Sequence, residues 1–289
     1  MDMEIRATSN KNNVKISIVD ITEELDKIVK LQKTNPLASF ALGRTIINTA
    51  LISLSVKDGS KVTTNINGMG LGGSIIAEFQ NNSIKGYIEK PNFEINKILN
   101  DKESESALSQ VVGTQGFLQI SRDNGKKQPY TSRVELISGE INLDFMYYLQ
   151  QSDQINSLIS SNIDFEEDGS IKKACGVIIQ LLPGFTEENI DFIEEKIGSV
   201  EHLIKTLMES TNYEALIKEI CEDAQVVGIN QLFFKCTCSE EKVLNTLKLL
   251  EKEEINKAIN DGEEIEVVCD FCKNIFIIIP EQLKKLIIC

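Results

Sequence analysis

The sequence predicts an α+β protein: a mixed N-terminal β-sheet domain with helices, then an acidic helical segment, then a small C-terminal domain built on four cysteines. Three observations predict it. Short apolar segments separated by Asn- and Gly-containing turns recur from Met1 to about Pro183. The stretch from Thr186 to Asp223 has no proline. It carries eleven Asp or Glu against three Lys, a net of −8 in a chain whose total is −14. Finally, four of the seven cysteines stand as Cys236-Thr237-Cys238 and Cys269-Asp270-Phe271-Cys272. The expected domains are therefore 1–184, 185–232 and 233–289.

In chain order, Glu4 to Ser9 and Val14 to Asp20 read as strands around an Asn-Lys-Asn-Asn turn, and Ile21 to Lys33 as a helix. Pro36 suits the first turn of a second helix running through Ala38, Leu42, Ile46, Ala50 and Leu54 to about Asp58-Gly59. Strands follow at Lys61 to Asn67, Ser74 to Gln80, Ser83 to Glu89, Gln115 to Arg122 and Tyr130 to Ser138, with Asn81-Asn82 and Asn124-Gly125 as hairpin signals. Ile141 to Gln151 reads as a helix. Ile155 to Glu166 and Ile171 to Leu182 read as strands that Pro183-Gly184 closes.

In the acidic segment, Ile190, Ile193, Ile197, Val200, Ile204 and Leu207 follow 3-4-3-4-3 spacing, one apolar stripe on helical structure. Gly198-Ser199 breaks it into two helices with Ser199 as N-cap, and Thr211-Asn212 caps a third bearing Leu216, Ile217 and Ile220. Such a stripe ordinarily packs into a core; the sharper reading is that these helices dock on the N-terminal domain only while the four-cysteine domain holds them there. Beyond it, Ser239 caps a helix through Leu249, and Glu253 to Asn260 forms another. Glu263 to Val268 and Asn274 to Ile279 are strands, and Pro280 opens a last helix.

A net charge of −14 and a pI near 4.7 argue against a nucleic-acid partner, which needs a basic face. The start of the chain has no basic-then-apolar leader pattern, and Ile275 to Ile279 is too short to span a bilayer, so no membrane partner is expected. Cys289 lacks a prenylation box. An odd cysteine count without a leader points to the reducing cytoplasm, where close cysteine pairs more often hold metal or do redox chemistry than staple a fold.

Two close pairs brought together by folding supply four thiolates, which suit tetrahedral Zn²⁺. Fewer than sixty residues bury too little surface to be secure without such a staple. A purely structural zinc site satisfies the spacing. Chemistry adds a second reading, since thiolates are the form that oxidants attack. Cys269 and Cys272 can close a disulfide across a tight turn; Cys236 and Cys238 can do so only with more strain. Each disulfide would remove two ligands at once, so oxidation would delete the metal and most of the domain's stability together.

The remaining motifs carry less. Gly68, Gly70 and Gly73 form a GxGxxG, but Ser74 to Phe79 runs straight into the Asn81-Asn82 turn and leaves no room for the helix a dinucleotide site needs. A glycine-rich strand connection is expected instead. His202 is the only histidine, which leaves no triad or HExxH chemistry, and no enzymatic activity is expected. Cys175 in an apolar strand reads as a core residue; Cys221 and Cys289 have no partner at motif spacing.

Phe234-Lys235-Cys236-Thr237-Cys238-Ser239 followed by Cys269-Asp270-Phe271-Cys272 resembles the redox switch of the bacterial thirty-three-kilodalton heat-shock holdases. Leu42-Gly43-Arg44, Asn67-Gly68-Met69-Gly70, Gly176-Val177-Ile178-Ile179-Gln180-Leu181-Leu182-Pro183 and Asp261-Gly262-Glu263 extend the likeness over nearly the whole chain. Lys273 departs from it, standing where glycine is common, and Phe276 stands where the aromatic is often tyrosine. The resemblance implies an ATP-independent holdase whose Cys236, Cys238, Cys269 and Cys272 bind one zinc when reduced. It implies that oxidants pair 236 with 238 and 269 with 272. The acidic segment then unfolds, unfolding client proteins bind, and the active form is a homodimer. A constitutive zinc-stapled interaction module and a thiol-disulfide oxidoreductase using Cys269 and Cys272 are the alternatives.

Overall fold

Alternation in the first thirty residues builds a hairpin, β1 (Met3–Ser9) and β2 (Val14–Asp20), paired in register from Met3↔Asp20 to Ser9↔Val14. The computed structural model describes residues 1–57, 59–94, 106–125 and 128–287. The expected helix end at Asp58 and the thiol of Cys289 lie outside them. The chain divides into two compact units, Met1–Phe234 and Lys235–Cys289.

In the first unit, α1 (Thr22–Gln32) and α2 (Pro36–Ser53) follow the hairpin. Asn35 caps α2 by accepting from the Ala38 N–H, and Pro36 occupies its first turn. The helix is apolar all round because it lies between two sheets. Its buried Thr45, Thr49 and Ser53 hydroxyls donate to the carbonyls of Ala41, Thr45 and Thr49, so these three hydroxyls are satisfied within the helix. It ends at Ser53, short of the expected end, and Leu54 to Val56 continue as a turn.

Next come β3 (Lys61–Asn67), β4 (Ile75–Gln80), β5 (Ser83–Ile88), α3 (Ala107–Val112), β6 (Phe117–Asp123) and β7 (Tyr130–Glu135). Asn81 and Asn82 have φ of 49° and 61° and close the two-residue β4–β5 hairpin, as the Asn-Asn signal predicts. The glycine-rich stretch is a connection and no helix follows it. Cβ atoms on Gly68 or Gly70 would overlap the backbone of Val111 to Gly113, so two chain segments cross where only glycine fits.

The expected helix over 141–151 is α4 (Asn142–Tyr148) followed by a wide π-helical turn, Leu149–Asp153. That turn carries Asp153 onto Arg122, a two-pronged ion pair at 3.0 and 2.6 Å. β8 (Ser157–Phe165) and β9 (Ile171–Leu181) come next, then α5 (Glu187–Ile197), α6 (Val200–Glu209) and α7 (Tyr213–Ile220). Two strands complete the unit, β10 (Gln225–Gln231) and β11 (Phe233–Phe234).

Among the described residues the first unit holds one sheet of order β10-β1-β2-β9-β8 and one of order β11-β5-β4-β3-β6-β7. The first is antiparallel throughout. In the second, β11 runs parallel to β5. One core lies around α2, lined by Val19, Ile163 and Ile178 on one side and Val62, Ile75 and Ile84 on the other. The opposite face of the first sheet presents Ile5, Ile16, Ile18, Val177 and Ile179, and helices α5 to α7 cover it. The layers are thus acidic helices, sheet, buried helix, sheet.

In the second unit, α8 (Glu240–Leu247), α9 (Lys252–Asp261), the hairpin β12 (Ile265–Val268) and β13 (Ile275–Ile278), and α10 (Pro280–Ile287) enclose a small core. Val243, Leu247, Ile255, Ala258, Ile278 and Leu283 form it.

Candidate metal centre

Two chain turns in the second unit present the four cysteines. Cys236 and Cys238 precede α8, whose N-cap Ser239 accepts from the Lys242 N–H at 3.3 Å. From the first turn of α8, the Lys242 ammonium donates to the carbonyl and hydroxyl of Thr237 at 2.6 and 3.0 Å. The residue between the two thiols is thereby fixed. Cys269 and Cys272 sit on the turn between β12 and β13. There the Cys269 N–H donates to the Asn274 carbonyl and the Lys273 N–H to the Cys269 carbonyl.

Lys273 has φ of +57°. A side chain in that conformation costs roughly 1–2 kcal/mol relative to glycine. The preference for glycine after this turn therefore has a backbone cause, and this chain bears the strain.

All four Sγ atoms lie within 4.8 Å of one another. Cys236 and Cys269 approach to 3.7 Å, Cys238 and Cys272 to 3.3 Å, and no disulfide joins them. Sulfurs at the corners of a tetrahedron around zinc, with Zn–S near 2.3 Å, stand about 3.8 Å apart. The donor set, its softness and its spacing therefore fit a tetrahedral metal ion. All four cysteines are half-buried. Burial pushes the thiols of Cys236, Cys238 and Cys272 up. Burial acts on Cys269 as well, but the backbone N–H groups of Cys272 and Phe271, with the thiols of Cys272 and Cys236, together outweigh it and hold that thiol below its ordinary value.

Of the stripe residues, Ile193, Ile197 and Leu207 are buried against the first sheet, and Ile190 and Ile204 are half-buried. Val200 is 37% exposed. The stripe is not continuous across 198–199. Gly198 and the Ser199 cap restart the helix, so its phase shifts and Leu203 takes the core position at which spacing from Ile197 aimed Val200. Ile190, Ile193, Ile197 and Val200 line an apolar cleft of about 430 Å³ against Leu158, Ile179 and Leu181. His202 is exposed. Cys175 and Cys221 are buried beneath and beside α6 and α7. Leu203 escapes a count that runs the spacing through the break. The hydroxyl of Tyr213 and the backbone donors around Cys269 have no signal in the sequence.

No helix of the described residues is long and apolar enough to cross a membrane. The sequence model of the family described as Hsp33 protein matches residues 2–278. A 33 kDa chaperonin from Shouchella clausii is 33% identical, over 99% of this chain and 97% of its own. One from Bacillus pumilus is 31% identical, over 99% and 98%. The crystal structure of the 33 kDa chaperonin of Thermotoga maritima, a heat shock protein 33 homolog, superposes with a TM-score of 0.85 at 29% identity, covering 99% of this chain and 97% of that one. The chain, matched along nearly its whole length in sequence and in fold, belongs to the Hsp33 family.

Proposed function

We propose that this protein is a cytoplasmic, ATP-independent holdase held inactive by a zinc-bound cysteine centre and activated by oxidation. The observation that carries this reading is the cluster itself: four sulfurs within 4.8 Å, drawn from two turns of a unit whose core, among the described residues, is six buried side chains. When bound, zinc cross-links those turns, and structural zinc supplies about 10–16 kcal/mol of apparent folding energy in small domains. The ligands are Cys236, Cys238, Cys269 and Cys272, and the unit is stable only while all four remain thiolates.

Oxidation acts on the ligands. Two thiolates give two electrons to one peroxide, which takes up two protons and leaves as two waters, and a disulfide remains. We assign the pairs as 236 with 238 and 269 with 272. All four Sγ atoms lie within 4.8 Å of one another, and close approaches of 3.7 and 3.3 Å also run crosswise, between the turns. Once the unit opens, cysteines two or three residues apart meet far more often than partners more than thirty apart, and this favours pairing within each turn.

Unfolding of the C-terminal unit is followed, in this reading, by release of the acidic helices from the first sheet. A segment stable by only a few kcal/mol melts when a neighbour is lost. The uncovered residues, Ile5, Ile16, Ile18, Val177 and Ile179 on the sheet and Ile193, Ile197 and Leu207 on the helices, are the surface for unfolding clients. Ile190, Val200 and Ile204 extend it. The −8 charge of the helical segment keeps the complexes apart in solution, and the oxidised form dimerises.

The test counts metal and thiols together. Warm peroxide is expected to release one zinc and remove four thiols per chain, with peptide mapping finding disulfides 236–238 and 269–272. Zinc retained through that treatment would make the centre a fixed staple and end the switch assignment.

A further inference from the structure

The acidic helices rest on the sheet chiefly through apolar side chains, but α7 is also held at both ends by buried or half-buried polar groups. At its start, Tyr213 is 7% exposed and its hydroxyl donates to Asp20 Oδ2 at 2.6 Å. Asp20, at the end of β2, is itself buried. The same oxygen accepts from the Lys173 ammonium on β9 at 2.8 Å, and Oδ1 accepts from the N–H and hydroxyl of Thr22 at the start of α1. The Lys173 ammonium also lies 5.1 Å from the centre of the Tyr213 ring. One carboxylate thus joins β2, β9, α1 and α7. Just past the other end of α7, Asp223 accepts from the Ser9 hydroxyl at 2.6 Å and the Asn12 amide at 2.7 Å, in a more exposed setting.

We propose that the Tyr213–Asp20 hydrogen bond is the pin that sets how readily the acidic helices leave the sheet, and so the threshold for activation, independently of the metal centre. A buried carboxylate that loses one of its donors keeps its desolvation penalty, so removing this hydroxyl disfavours the docked state directly. The apolar contacts of Leu216, Ile217 and Ile220 tolerate partial lifting of α7; a hydrogen bond at 2.6 Å does not. The consequence for activation rests on the reading above, in which released helices are the active state.

Cys175 supplies a readout that does not depend on holdase activity. Its thiol is fully buried, 3.4 Å from Met208 Sδ on α6 and within hydrogen-bond reach of Tyr213, so each labelling rate is divided by that of the same variant unfolded in denaturant, which cancels any direct change in thiol reactivity and leaves the lifting of the helices. The experiment is pulsed alkylation of the reduced, zinc-loaded full chain below its melting temperature, with peptide mapping to separate Cys175 from the four clustered cysteines. Tyr213→Phe is expected to label Cys175 about ten-fold faster than the unaltered chain, with zinc content unchanged. Ser9→Ala, which removes one of two donors from Asp223, a carboxylate that is itself exposed and keeps the Asn12 amide and water, is expected to change the rate less than about three-fold. Labelling of Tyr213→Phe within about two-fold of the unaltered chain, or no faster than Ser9→Ala, would overturn the pin whatever a client assay gives. Faster labelling without any gain in client protection would uphold the pin and count against released helices as the active state.

Discussion

Replacing Cys269 by serine is expected to abolish tight zinc binding, unfold the C-terminal unit and leave a holdase that needs no oxidant. The argument is one of magnitudes. Among the described residues, six buried side chains in a unit of fewer than sixty residues give a core that barely offsets its chain entropy. A bound zinc ion would add about 10–16 kcal/mol, and only while four thiolates converge. Serine supplies no thiolate, so most of that energy is lost, far more than the unit's own margin. Cys269 is also the thiol on which the most backbone N–H donors converge. Metal analysis should find well under one zinc per chain, and client aggregation should be suppressed equally before and after peroxide. A variant that kept its zinc and remained inactive until oxidised would contradict the assignment.

The second large effect is expected from the other unit. Leu207 on α6 is fully buried between the helices and the first sheet, beside Cys175. Truncation to alanine costs about 2–5 kcal/mol at such a site. That is comparable to the whole stability of a marginal helical segment, so Leu207→Ala should be partly active when reduced. Its four cysteines are untouched and it should still hold one zinc. Circular dichroism should show loss of helix from the reduced protein, and light scattering should show client protection without peroxide. Full dependence on oxidant, with the helices intact, would mean that release of the acidic segment is not the activating event.

What the sequence made legible was local. Ser199, Asn212 and Ser239 cap the helices they were expected to cap, because a cap is decided within four residues. The Asn81-Asn82 hairpin is local for the same reason, as is each cysteine pair; that the two pairs meet across more than thirty residues followed from ligand chemistry and not from local pattern. Pairings across the chain were not legible. Strand β10 joins β1 through Met3↔Gln231, and its Gln-Val-Val-Gly-Ile-Asn-Gln run lacks clean alternation, so it was not expected. The Tyr213–Asp20 contact spans 193 positions and has no signature in either segment. The stripe failed at one point for a physical reason. Helical phase does not survive a Gly-Ser break, and the core position passed from Val200 to Leu203. The strained backbone at Lys273 is invisible to composition, although the resemblance marked that position as unusual.

The most direct test dilutes a chemically unfolded client into buffer containing the reduced, zinc-loaded protein, or the same protein after warm peroxide, and follows light scattering. Suppression by the oxidised sample alone is the predicted result and places function in surface uncovered by oxidation. Equal suppression by both samples would make the protein a constitutive holdase, and suppression by neither would return the four cysteines to a structural role; either would contradict the account.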